Sequence, residues 1–393
     1  MASAAFEFEF ATAGRIRFGR GVAGELPDLL QPLGQFALLL TGGDAARSQH
    51  LQRTLRERNL TLTHHAIAAE PTVDDVAEAV AVARRSGSTA VVAVGGGSVI
   101  DVGKAVAALL TNHDELSDYL EVVGRGRPLE EPAAPLIAVP TTAGTGSEVT
   151  RNAVMRVPAK AVKVSLRSPL MLPRLALVDP ELTLSMPPAL TAATGLDALT
   201  QLIEPFVSVA ANPLTDALCS QGIRRASRSL KAAFRAGDDL DAREDMCLAS
   251  LFGGLALANA KLGAVHGLAG PIGGMFPDAP HGAICGRLLP LVIEVNVRAL
   301  KERRPRSPAL ERYRELARLL TGDPEAKIID GLIWLQSLCL ELGLAPLARY
   351  GVSEDHVAEL VEKARRASSM QGNPIKLSRE ELGGVLKKEI ELG

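Results

Sequence analysis

Along the first half of the chain, apolar residues gather in short runs closed by glycine or proline, and stretches with helical spacing lie between them. FALLLT (36–41) stops at Gly42 and Gly43, and a helical pattern, AARSQHLQRTLRERN, follows. LTLTHHAIA (60–68) alternates β-branched with other residues and predicts a strand. VDDVAEAVAVARRSG (73–87) spaces its apolar positions as one face of a helix and ends at Gly87. TAVVAVGGGS (89–98) and APLIAVPTT (134–142) predict two more strands, of the fully buried kind. Apolar strands separated by helices predict a parallel sheet covered on both faces, a doubly wound α/β architecture.

Past ALVDPELTLSMPPALTAATG the pattern changes. LDALTQLIEPFVS, PLTDALCSQGIRRASRSLKAAFRAG, AREDMCLASLFGGLALANAKLG, SPALERYRELARLLTG and AKIIDGLIWLQSLCLELG all carry helical periodicity. The change falls near Met186-Pro187-Pro188. It predicts a Rossmann-like α/β domain over 1–185 and an all-α domain over 186–393. The length of 393 residues also suits two cores better than one.

Composition narrows the function classes. Aromatics are only 3%, so the cores must be built from Ala, Leu and Val. A net charge of -2 offers nothing to nucleic acid or an anionic membrane. Cys219, Cys247, Cys285 and Cys339 are widely spaced and form no CxxC pair, as expected of a reduced chain. Acidic residues interrupt the N-terminus where a secretion signal needs an apolar run, and no apolar stretch reaches spanning length unbroken. A cytoplasmic protein without membrane or nucleic-acid partners is expected.

Two stretches suit a nucleotide. In TAVVAVGGGSVIDVGKAVAALL a strand turns through Gly95, Gly96 and Gly97 into a helix. Without side chains there, backbone N–H groups and the positive end of the helix can meet a pyrophosphate. Ser98 is placed to cap that helix, with Asp101 as the acidic arm of a capping box. The second stretch, IAVPTTAGTGSEVTRNAV (137–154), leaves another strand and offers Thr141, Thr142 and Thr145 between glycines. Loops after neighbouring parallel strands face one crevice.

The helical half offers ligands for a metal. Asp197 and Gln201 are four residues apart on one predicted helix face. His266 and His281 flank the glycine-rich stretch HGLAGPIGGMFPDAPHG. One carboxylate with nitrogen donors suits Fe(II) or Zn(II), and Gln201 could add its amide oxygen. From residue types alone, a capping or packing histidine competes with this reading. Cys285 follows His281 by four residues and could approach; it reads first as a buried structural thiol.

Together, GGGSVIDVGKA, PTTAGTGSEVT, ALVDPELT, MPPALTAATGLDALTQLIEPFVS and HGLAGPIGGMFPDAPHG resemble the iron-containing (group III) alcohol dehydrogenase family. The resemblance implies a dehydroquinate synthase-like architecture with NAD(P) in the cleft between the two domains. It puts the pyrophosphate on Gly95–Ser98 and the nicotinamide beside the threonine loop, with Asn152 and Lys163 contacting the nucleotide. It makes Asp197, His266 and His281 metal ligands and catalytic residues, and it implies a homo-oligomer, most simply a dimer, acting on a small alcohol or aldehyde. The chain departs from the family in three places. Gln201 replaces a ligand histidine, Gly270 replaces a further active-site histidine, and the span from His266 to His281 is one residue longer. Two other outcomes stay open, a maleylacetate reductase-like enzyme and a silent nucleotide-binding protein. Cofactor choice turns on the end of FALLLT. Family members that favour NAD often carry an aspartate there, whereas this chain has Gly42 and Gly43, then Asp44 and Arg47. NADP(H) is therefore favoured, with NAD(H) tolerated.

Overall fold

The computed structural model describes residues 7–44, 49–58 and 60–392. Its strands are β1 (Ile16–Phe18), β2 (Phe36–Gly42), β3 (Thr61–Ile67), β4 (Ala90–Gly95), β5 (Leu136–Pro140), β6 (Asn152–Val157), β7 (Val162–Arg167) and β8 (Leu175–Val178). Six of them form one sheet in the order β1-β8-β5-β4-β2-β3, every pair parallel. The chain runs outward from β2 to β3, then crosses back to β4 on the other side of β2. The order therefore reverses between β2 and β4, where a crevice opens at the carboxyl ends of the strands.

Alternation along the strands feeds two cores. Leu38, Leu40, Val91 and Ala93 face α3 (Val73–Arg85) and α4 (Gly97–Thr111). Ala37, Leu39, Val92 and Val94 face α1 (Leu26–Leu30) and α2 (Gln49–Glu57). The sheet is thus covered on both faces, as expected. Thr72 and Asp75 close a capping box at the start of α3. The helix expected after β2 begins at Gln49, and residues 45–48, with Arg47, lie outside the described residues. A short α5 (Leu116–Tyr119) precedes β5.

Strands β6 and β7 form an antiparallel hairpin that the sequence reading passed over. Its signal was the alternation NAVMRV and VKVSLR about PAKA, too short to stand out beside the buried runs.

From Pro188 onward the described residues hold only helices and turns: α6 (Pro188–Val207), α7 (Pro213–Arg235), α8 (Leu240–Asn259), α9 (Ala264–Met275), α10 (His281–Arg303), α11 (Ala309–Thr321), α12 (Ile328–Glu341), α13 (Val357–Arg366) and α14 (Arg379–Glu391). Helix α6 is buried along most of its length and is the axis of this half. Small residues let its neighbours approach. A Cβ at Gly282 would stand 2.0 Å from the Ala193 carbonyl oxygen, and one at Gly286 2.7 Å from Leu196. Among the described residues no single helix is long and apolar enough to cross a membrane.

Candidate functional site

The glycine turn leaves β4 at the crevice. The expected Ser98 cap is not formed: α4 starts at Gly97, Gly96 is the N-cap, and no side chain bonds the helix end. Gly96 has an extended backbone (φ -74°, ψ -174°), which starts the helix one residue before Ser98 could cap it. Asp101 is likewise not part of a capping box. It accepts the Ser147 hydroxyl at 2.5 Å and the Val154 N–H at 2.9 Å, and pairs with Lys104 at 2.9 Å. Lys104 is fully buried and donates to Ser147, to Thr150 and to the Asn152 carbonyl. This network ties α4 to the threonine loop and to β6. It supports the turn and leaves the end of α4 without a side-chain cap.

The threonine loop lies between that turn and the helical half. Thr141 is buried and its N–H donates to the Gly95 carbonyl at 3.0 Å. A Cβ at Gly96 would meet Thr142 Oγ1 at 3.3 Å, and one at Gly97 would meet Thr145 Oγ1 at 2.8 Å. On the other side, Gly144 packs on Thr194 of α6, and the Thr145 carbonyl accepts the Gln201 amide at 2.6 Å. Gly146 needs its left-handed backbone (φ +59°), since a Cβ there would lie 2.4 Å from the Ser250 carbonyl oxygen.

The expected ligands Asp197, His266 and His281 converge. His266 Nε2 lies 3.4 Å from Asp197 Oδ1, and His281 Nε2 lies 3.8 Å from the same oxygen. Asp197 comes from the middle of α6, His266 from the first turn of α9, and His281 opens α10. The Gln201 amide N–H donates to the threonine loop. Cys285 joins the group: Asp197, His266, His281 and Cys285 offer donor atoms that all lie within 4.8 Å of one another. Asp197 Oδ1 and His266 Nε2 are buried without a hydrogen-bond partner. Buried polar atoms are rarely left so, and a cation between them is the simplest account. A carboxylate, two imidazoles and a thiol therefore fit a divalent transition metal.

Sequence reasoning missed Glu204. It sits seven residues after Asp197 on the same face of α6 and is 5% exposed. It accepts His266 Nδ1 at 2.6 Å and the Val265 N–H at 2.7 Å. The Nδ1 bond turns Nε2 towards Asp197, the usual arrangement of a carboxylate behind a ligating histidine. A buried acid in the apolar run LDALTQLIEPF was the available signal. The Asn373 side chain also accepts from the Ala264 N–H at 3.1 Å and holds the start of α9.

Charge follows from these contacts. Burial pushes Asp197 up, but both imidazoles outweigh it and hold it below the usual carboxylate range. Burial, Lys163 and His266 push His281 down to about 4, against the pull of Asp197, so it is neutral near pH 7. Burial also opposes charge on His266, yet Cys285, Glu204 and Asp197 together raise it well above 6.5. Lys163 reaches this region from β7. It pairs with Glu70, and its Nζ would lie 2.8 Å from a Cβ at Gly273 of α9. Gly270 faces open space, with nothing within 4 Å of a Cβ placed there. Gly42 ends β2 with equally open surroundings, and Asp44 lies exposed beyond it.

Comparison with known proteins agrees with this layout. Residues 13–180 match the family described as iron-containing alcohol dehydrogenase, and residues 191–390 match the C-terminal part of the Fe-containing alcohol dehydrogenase family. Alcohol dehydrogenase 4 of Saccharomyces cerevisiae is 36% identical over 382 residues, 95% of this chain and 96% of that one. The crystal structure of a 1,3-propanediol oxidoreductase superposes with a TM-score of 0.90 at 32% identity, covering 98% of this chain and 100% of the other. A sulfoacetaldehyde reductase from Bifidobacterium kashiwanohense, solved with NAD+, gives a TM-score of 0.86 at 29% identity over 99% of this chain and all of its own.

Proposed function

This chain belongs to the iron-containing alcohol dehydrogenase family and interconverts an alcohol with its aldehyde or ketone, and we propose that it does so where the threonine loop meets Asp197, His266 and His281. The observation that carries this reading is the position of that loop. One side touches the glycine turn through Thr142 and Thr145, and the other touches α6 through Thr194 and Gln201. A dinucleotide whose pyrophosphate lay over Gly95–Gly97 would bring its nicotinamide end towards the buried cluster. In this reading the chain divides near residue 185, between β8 and α6.

When bound, the dinucleotide supplies the hydride and the metal, iron or a similar ion, acts as a Lewis acid on the substrate oxygen. Asp197, His266 and His281 would hold that metal. Glu204 fixes His266 with Nε2 towards it. Neutral His281 keeps a lone pair free to ligate. Lys163 and Asn152 lie on the hairpin that closes over the same side, where they would contact the nucleotide. Lys104 and Asp101 support the turn from beneath. The convergence of Asp197, His266 and His281 favours an enzyme over a silent nucleotide-binding protein.

On cofactor choice, we propose NADP(H) with NAD(H) tolerated. Gly42 leaves the end of β2 open and brings no carboxylate to repel a 2′-phosphate. Steady-state kcat/KM with NADH and NADPH, measured across a panel of aldehydes, tests both parts. Turnover with a higher ratio for NADPH is expected. A clear preference for NADH overturns the cofactor assignment, and no turnover of any aldehyde or ketone overturns the site.

A further inference from the structure

We propose that Cys285 is a metal ligand of this chain and completes a four-donor set with Asp197, His266 and His281. This inference rests on reading the cluster as a metal site. Cys285 follows His281 by four residues on α10, so both side chains share one face. That face meets α6 at the closest helix approach in the cluster, where Gly282 lies against Ala193. Cys285 Sγ stands 3.8 Å from His281 Nε2 and is completely buried. Metal–ligand bonds of about 2.0–2.3 Å give a tetrahedron with edges of about 3.3–3.8 Å. The separations of 3.4, 3.8 and 3.8 Å among these donors match such edges.

The Gln201 amide nitrogen is held by the Thr145 carbonyl and ties α6 to the threonine loop. Among the described residues, Cys219, Cys247 and Cys339 belong to no such group of donors. On metal binding the Cys285 thiol and the His266 imidazolium each give a proton to solvent, and the Cys285 sulfur and His266 Nε2 lone pairs go to the ion. The carboxylate and thiolate then neutralise a divalent cation, with two neutral imidazoles completing the set. A thiolate in place of a nitrogen or amide donor shifts preference towards zinc, which takes sulfur ligands readily.

The test uses metal-stripped full-length protein reloaded with zinc or with cobalt(II) as a spectroscopic substitute. Zinc X-ray absorption on the unaltered protein should show one sulfur neighbour at about 2.3 Å beside lighter donors. The cobalt form should show a near-ultraviolet thiolate-to-cobalt charge-transfer band. Cys285→Ser should lose that band while still binding cobalt more weakly. The double variant Gln201→His with Cys285→Ser should regain metal retention without the band. Metal uptake with no sulfur neighbour and no band overturns this proposal and leaves the metal site standing, as does a band that survives Cys285→Ser. Failure of the folded, unaltered protein to take up either metal overturns both readings.

Discussion

Glu148 shows how far one side chain can depend on its surroundings. It is 3% exposed in the turn after the threonine loop, and burial raises its pKa from 4.5 to about 7 against the pull of Lys104. An acid raised in this way adds stability that is fully present below pH 4.5 and is lost as pH climbs through 7. The span corresponds to roughly 3 kcal/mol. Glu148→Gln stays neutral at every pH, so urea unfolding of the variant should lack that part of the decline between pH 4.5 and 7.5. Parallel curves for the two proteins would show that Glu148 is not buried as a carboxyl. Legibility at this scale was uneven. Asp197, His266 and His281 were candidates by residue type, the family resemblance made them ligands, and the structure brings them together. Glu204 did not, because its role depends on α9 arriving beside α6.

At the scale of elements, glycines decide how closely helices and loops can meet. Gly282→Ala would put a methyl 2.0 Å from the Ala193 carbonyl, which forces α10 away from α6 and separates His281 from Asp197. Loss of retained metal, measured by mass spectrometry after dialysis, is expected together with a lower Tm. Gly270→Ala meets nothing within 4 Å and should stabilise α9 by about 0.5–1 kcal/mol, seen as a slightly higher Tm with metal retained. Equal effects at the two positions would contradict the packing described. Gly96→Val puts a branched side chain between the turn and Thr142, where a Cβ already lies 3.3 Å from Oγ1. Cofactor affinity by fluorescence titration should fall strongly, and an unchanged value would remove this turn from the nucleotide site.

At the scale of the molecule, the metal cluster joins helices far apart in the chain. Asp197 on α6, His266 on α9 and the pair on α10 span 89 positions of sequence, from 197 to 285. A ligand that binds only the folded arrangement stabilises it, by about 2.7 kcal/mol at one hundred times its Kd. Chelator treatment should therefore lower Tm by several degrees, and zinc or iron should restore it. A Tm indifferent to metal would mean that the four donors do not act as one site.

The sequence by itself determined the alternation of buried strands and helices, the change to an all-helical second half, the two glycine-rich turns and the residue types of a metal site. Each follows from local periodicity or from chemistry that only a few residue types supply. The tertiary structure decided the rest. It gave Asp101 and Lys104 to a network beneath the nucleotide turn, set Glu204 behind His266, bound Gln201 to the threonine loop and brought Cys285 into the cluster. These assignments depend on which elements meet across the fold, with Gly282 and Gly286 setting how closely α10 brings Cys285 to α6, and no local pattern in the chain encodes those meetings.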